Sequence, residues 1–323
     1  MSDQGRAREG SGLGLSRRFY DAYGPPIIAE IFGNDRDRVA AGLVGDGSDC
    51  FGFDDEISRD HDWGPRFVLW LSAGDFARHG AALQKAYEAL PTEFEGYRIR
   101  LSPWGTRRNG VWRTDQFYHQ YLGIDRAPRS WQEWQRIPEH HLAACTNGEV
   151  FVDDLDEFSS VRRKLLSHYP EDIRLKRLAA RCMAAGQAGQ YNLPRMLSRG
   201  DLVAGQQAEA RFAEAAIGIV AALNRVYAPY YKWMHAALDR MTIIGPEVKV
   251  QLSRMIDPGS SDLLADPFEL KLLAVTEVCM LISDRLRREK LSDIEGQFLL
   301  EHGINIQSRI GDPDIRSLDV WTE

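Results

Sequence analysis

Residues 44–67, "VGDGSDCFGFDDEISRDHDWGPRF", hold two features that could do chemistry together. Gly47-Ser48 precedes Asp60-His61-Asp62, with Asp46, Asp49, Asp54, Asp55 and Glu56 crowded around them. Like charges this close repel one another, so something cationic is expected among them. On an extended segment, side chains two residues apart point to one face, so Asp60 and Asp62 could share a ligand. Hard carboxylate oxygens of this kind suit Mg²⁺ or Mn²⁺ completed by phosphate oxygens. A Gly-Ser turn just upstream would offer backbone N–H groups and a hydroxyl to the same phosphates. Of Asp49, Asp54, Asp55 and Glu56, one is expected to join the site and the others to face solvent, as most charge runs do. An EF-hand register starting at Asp46 fails, because Phe51 falls where the loop needs glycine and Ile57 where it needs the bidentate glutamate.

The elements that must hold these residues are legible in outline. "SRRFYDAYGPPIIAEIFG" has helical spacing that Pro25-Pro26 should break or kink. "RFVLWLSA" reads as a strand too apolar for a sheet edge. "DFARHGAALQKAYEALP" is an amphipathic helix with Asp75 as its expected cap. "FEGYRIRLSPW" alternates as another strand, and "HHLAACTNGEVFVDD" reads as a hairpin turning at Asn147-Gly148. Beyond about Phe158, long helical patterns take over, including "QAEARFAEAAIGIVAALNRVYAPYYKWMHAALDRM". The fold class is therefore α+β: a mixed sheet with helices over residues 1–155, then an all-helical domain over 156–323.

The Gly47-Ser48 pair, eleven intervening residues and the Asp60-x-Asp62 pair resemble the signature of the nucleotidyltransferase superfamily, which includes DNA polymerase beta and kanamycin nucleotidyltransferase. The resemblance implies that Asp60 and Asp62 hold two divalent metals and that Gly47 and Ser48 contact a nucleoside triphosphate. It implies transfer of a nucleoside monophosphate from that triphosphate, ATP being the expected donor, to a hydroxyl or phosphate of an acceptor. A third carboxylate on a later strand is part of the pattern; Glu95, just before "YRIRL", or Asp153, after "VFV", could supply it. Antibiotic-modifying members add a helical domain, which "LNRVYAPYYKW" is similar to. The chain departs from the pattern at Arg59, His61 and Gly64-Pro65, where the superfamily has a regular apolar strand. A catalytically silent member that binds nucleotide as a regulator or scaffold is the alternative.

In the helical half, Lys232, placed in the middle of a long helix, could reach phosphate oxygens as a point charge. Arg195 and Arg199, four residues apart, could grip a triphosphate or anionic acceptor. Tyr227, Tyr230 and Tyr231 offer core packing and, at Tyr231, a surface for a base. The Arg163/His168 spacing and the His140-His141 pair with Cys145 carry no weight as sites. The 323 residues are 44% apolar and 27% charged with a net charge of −7, which favours a small-molecule acceptor over nucleic acid. Four scattered cysteines and the lack of a long apolar run lead to the expectation of a reduced, soluble, cytoplasmic protein with no membrane partner. The apolar run "ELKLLAVTEVCMLISDRL" suits a core or a homodimer interface.

Overall fold

The computed structural model describes residues 11–60, 62–99, 109–258 and 266–323, with only the backbone at Asp60. His61, the second half of "YRIRLSPW" and the first ten residues lie outside the described set. The fold is α+β: a small mixed sheet with helices comes first and a helical region follows. Contacts divide the chain into two compact units, one running through Arg129 and taking in Ile137–Ser167, the other made of Ser130–Arg136 and His168–Glu323.

In the first unit, α1 (Gly12–Phe32) is capped by the Ser11 hydroxyl, which accepts from Gly14 N. α1 runs through Pro25 and Pro26 rather than breaking there. Those prolines, with Asp21 and Ala22 one turn earlier, lie on the exposed face, so the two carbonyls left without helical donors can turn to water. Next come β1 (Ala40–Leu43), the one-turn α2 (Ser48–Phe51), β2 (Val68–Leu71) and α3 (Ala73–Glu88). The cap of α3 is Ser72, not Asp75: the Ser72 hydroxyl accepts from Asp75 N at 3.0 Å and donates to the Asp75 carboxylate at 2.7 Å. β3 (Glu93–Phe94) and β4 (Tyr97–Arg98) form a short separate hairpin where one longer strand was expected, because Gly96 at φ 79° turns the chain. β5 (Gly110–Arg113) and α4 (Thr114–Leu122) follow; the chain then lends α5 (Trp131–Arg136) to the second unit before α6 (Glu139–Thr146), β6 (Glu149–Val152) and α7 (Glu157–Leu166).

The sheet order is β5-β2-β1-β6, with β1 antiparallel to both neighbours and β2 parallel to β5. β2 lies inside the sheet, as its unbroken apolar sequence implies. Its Phe67, Leu69 and Leu71 side pack into a core with Phe19, Ile28 and Leu83, while Trp70, on the opposite face, stacks on Phe158 at 3.9 Å between ring centres.

The expected hairpin at Asn147-Gly148 is a helix–turn–strand unit instead. Residues 140–146 lie in α6, whose Leu142, Ala143, Ala144 and Cys145 are buried, and β6 pairs with β1 rather than with its own upstream segment. An alanine-rich run with a buried helical stripe outweighed the Asn-Gly turn signal.

The second unit contains α8 (Glu171–Ala185), a π-helical turn over Gly186–Asn192, α9 (Leu193–Ser198), α10 (Leu202–Leu223), α11 (Tyr231–Ala237), α12 (Gly245–Ile256), α13 (Pro267–Arg288), α14 (Leu299–Ser308) and α15 (Pro313–Arg316). The long pattern ending in "YYKW" is two helices. α10 stops at Leu223, Arg225 takes φ 52°, and Pro229 lies in the non-helical link to α11. α13 buries Val275, Val278, Cys279, Ile282 and Leu286, so its apolar stripe packs within its own unit. All four cysteines are buried and unbridged. Among the described residues, no helix is long and apolar enough to cross a membrane.

Candidate functional site

The Gly45–Ser48 turn joins β1 to α2 and is held from several sides. Asn147 brackets Gly45: its side-chain oxygen accepts from Gly45 N at 3.0 Å and its Nδ2 donates to Gly45 O at 2.6 Å. Gly148 N donates to Cys50 O at 2.8 Å. The Tyr121 hydroxyl accepts from Asp46 N at 3.2 Å and lies 3.3 Å from the Asp46 carboxylate. Burial, with the Asp46 charge adding to it, pushes the Tyr121 phenol well above its ordinary pKa. Gly47 has φ 137°, and a Cβ there would come within 2.5 Å of Asp49 Oδ1, so the turn admits only glycine. Ser48 is left half-exposed at the start of α2. Beside the turn is a hollow lined by Val44, Asp46, Cys50, Val68, Trp112, Phe117, Gln120 and Tyr121.

Beneath the turn lies the cation that the acidic stretch needed. Arg66 and Asp49 are both fully buried, with Arg66 Nη1 2.6 Å from Asp49 Oδ2 and Nη2 donating to Oδ1 at 3.0 Å. Burial works against the guanidinium, but Asp49 more than restores its charge, leaving Arg66 above its ordinary value. The other acids divide differently from expectation. Asp54 accepts from Gly12 N at 2.7 Å and from Trp63 Nε1 at 3.1 Å, tying the start of α1 to the segment before β2. Asp55 closes a turn with Ser58, whose N–H bonds hold that carboxyl below its ordinary value, and Glu56 is exposed.

Asp60 and Asp62 do not lie on an extended strand. Asp60 ends a 3₁₀ turn, Ile57–Asp60, and Asp62 takes φ 51°, an uncommon backbone for a residue other than glycine. The physical causes are local. The Asp55–Ser58 turn winds the chain just upstream, and Gly64 at φ 126° with Pro65 delays regular pairing until Val68. Asp60 thus closes a 3₁₀ turn and Asp62 has a left-handed backbone ahead of β2, where a regular strand was expected. Arg59 lies 4.8 Å from the Trp63 ring centre beside this bend.

The proposed third carboxylates have other partners. Glu95, at φ 51° on the tip of the β3–β4 hairpin, is ion-paired to Arg18 at 2.6 Å, and that bond lowers its pKa. Asp153 accepts from Ser159 N at 2.6 Å and Glu157 N at 3.2 Å, holding the start of α7. Asp115, just past β5, pairs with Arg113. Among the described residues, no three His, Cys, Asp or Glu side chains come together as a metal site, and the Asp60 side chain lies outside that set.

In the second unit, Lys232 is the second residue of the short α11, not the middle of a long helix; it is exposed and lies 5.0 Å from the Trp233 ring centre. Tyr231 is 70% exposed and Tyr230 packs on it at 4.5 Å, whereas Tyr227 is buried against His168 and Tyr169. Arg195 is exposed in α9 with its guanidinium 3.6 Å from the Tyr191 ring centre. Arg163 pairs with Asp156, and His168 is buried one residue past the division between the units. Sequence reasoning missed Asn147, Tyr121 and Arg66. Only Arg66 left a signal, as the one basic residue between the acidic run and the apolar strand.

Comparison with known proteins adds little to this geometry. Residues 134–234 match the model of a domain of unknown function, DUF4037. A nucleotidyltransferase-like protein from Exiguobacterium sibiricum is similar over 90% of this chain and 88% of that chain, at 11% identity and a TM-score of 0.34. No curated protein matches. The family model spans less than half of the chain, and a structural likeness of that size carries no argument for the fold.

Proposed function

We propose that this protein binds a nucleoside triphosphate at the Gly45–Ser48 turn and transfers its nucleoside monophosphate to a hydroxyl or phosphate of a small molecule. The observation that carries the reading is the turn itself. It is glycine-only at position 47, braced by Asn147, Tyr121 and the Asp49–Arg66 pair, and followed before the next strand by Asp60 and Asp62. Gly47 and Ser48 face the phosphates; the turn's rigidity means that little ordering cost falls on binding. Asp60 and Asp62 would hold Mg²⁺ or Mn²⁺, which when bound neutralises phosphate charge. ATP is the expected donor, and Lys232, Arg195 and Tyr231 are the candidates for nucleotide contacts on the second unit.

One observation favours a second reading, a catalytically silent nucleotide-binding regulator. Glu95, Asp115 and Asp153 are each engaged by an arginine or by backbone N–H groups, leaving no described carboxylate assigned as base for the acceptor hydroxyl. Calorimetric titration with ATP, with and without Mg²⁺ or Mn²⁺, tests the site on wild type and on the Asp60→Asn/Asp62→Asn variant. Metal-dependent binding lost in the variant supports it; binding indifferent to both metal and substitution refutes it. Release of pyrophosphate with candidate acceptors then separates the transferase from the silent binder.

A further inference from the structure

Arg59 stands directly before Asp60-His61-Asp62, where a regular strand would carry an apolar side chain. It is half-buried, with its guanidinium carbon 4.8 Å from the Trp63 ring centre and 5.9 Å from that of Tyr97 on β4. Those two rings meet edge to face, 5.3 Å between centres, and form a corner for the guanidinium. The corner is itself held in place. Trp63 is 4% exposed, and its Nε1 donates to Asp54, which also accepts from Gly12 N. Tyr97 pairs with Phe94 across the β3–β4 hairpin, and Gly64 lets that hairpin close on the bend, since a Cβ there would come within 2.8 Å of Ile99 Cα.

The Arg59 donors are unspent. Its Nε is shut off from solvent without a partner, and among the described residues the guanidinium makes no hydrogen bond or ion pair. Other arginines of the first unit behave differently: Arg18 forks onto Glu95, Arg38 onto Asp75 and Arg66 onto Asp49. Arg59 follows the most acidic stretch of the chain and takes none of its carboxylates, because Asp54 is bonded to Trp63 and Gly12 and Asp55 to Ser58. A guanidinium oriented by two rings, with its donors unmet and its outer nitrogens not closed off as Nε is, is prepared for an acceptor brought from outside.

Continuous packing connects this corner to the glycine turn. A Cβ on Gly12 would come within 2.5 Å of Trp63 Nε1 and 2.7 Å of Asp49 Cβ, so Trp63 and Asp49 close on Gly12 from two sides. Asp49 is also the side chain that a Cβ on Gly47 would strike. We propose that Arg59 is a specificity-determining residue, its fork taking paired oxygens of a phosphate group in the triphosphate bound at Gly45–Ser48. The assignment rests on the nucleotide reading of that turn. Stacking against Trp63 and Tyr97 limits the freedom that the side chain has left to lose on binding.

The test is calorimetric titration of the full chain with ATP and with inorganic tripolyphosphate, both in the presence of Mg²⁺. Arg59→Gln is expected to weaken binding of each about tenfold or more, with hydrogen exchange at Ala41 and Leu69 unchanged. Arg59→Lys, which keeps the charge and loses the fork, should lose about fivefold, and it carries the test if the glutamine variant does not fold. ATP binding that needs metal and both Asp60 and Asp62 but ignores position 59 would overturn the role of Arg59 and leave the nucleotide reading standing. A loss for ATP without one for tripolyphosphate would overturn the phosphate contact, and a loss matched by faster exchange at the two amides would make Arg59 a packing residue only. Wild type that binds neither compound would overturn both the nucleotide reading and the inference built on it.

Discussion

Replacing Arg66 with methionine keeps most of the side-chain volume and leaves the Asp49 carboxylate in the interior without its counter-charge. Both groups are fully buried and their nearest atoms are 2.6 Å apart. Charges about 4 Å apart attract by about 4 kcal/mol at an effective dielectric of 20, and breaking a buried pair from one side typically costs about 3–5 kcal/mol. Arg66→Met should therefore lower the stability of the first unit by about 4 kcal/mol. The double variant Asp49→Leu/Arg66→Met removes both charges together and should recover most of that loss, since an apolar replacement of both partners is often neutral. Hydrogen exchange of the β1–β2 ladder, at Ala41 and Leu69, reads the first unit directly, and a double-mutant cycle on those values gives the coupling. A loss below about 1 kcal/mol for Arg66→Met, or a double variant as damaged as the single, would refute the assignment of Arg66 as the cation that makes the acidic stretch tolerable.

Asn147→Ala deprives both backbone groups of Gly45 of a partner and should cost about 2 kcal/mol; ATP affinity should fall with it, and an unchanged titration would dissociate the turn's bracing from binding. For Asp75, burial acts to raise the pKa, but Arg38, Ser72 and Arg78 together hold it down to about 2. A carboxylate depressed in the folded state contributes stability above its unfolded value near 4, and that contribution disappears as pH falls through about 2. The gap in unfolding free energy from urea titration between wild type and Asp75→Asn should accordingly be about 1 kcal/mol at pH 6, after allowance for the exposed arginines, and close toward pH 2.

The elements with one strong periodic signal were legible in the chain. "VLWL" has no polar position to present to solvent, so it had to be an interior strand, and it lies between β1 and β5. The amphipathic run before Pro91 had to be a helix, yet its cap moved to Ser72 because serine there can accept from Asp75 N while Asp75 serves Arg38. Where two local signals competed, sequence reasoning chose the wrong one. Asn147-Gly148 carried the signature of a hairpin turn, but burial of the α6 stripe made the preceding residues helical and freed Asn147 to bracket Gly45, 102 residues away in the chain. The run "LNRVYAPYYKW" read as continuous, but α10 ends at Leu223, where the Asn224 side chain bonds both backbone groups of Ile243 and Arg225 takes φ 52°; Pro229 follows in the link.

Residue order alone places a Gly-Ser turn and an aspartate pair on either side of a short segment ahead of an apolar strand, and makes a cation among the acids necessary. Spacing and charge are local properties, and they survive any folding of the chain. Packing in three dimensions settled that one such cation is Arg66, that Asp60 closes a 3₁₀ turn ahead of β2, and that Glu95 pairs with Arg18. Those outcomes depend on which side chains are buried together, because the strength of a charge pair is set by its distance and its exclusion from water, and neither is written in the order of the residues.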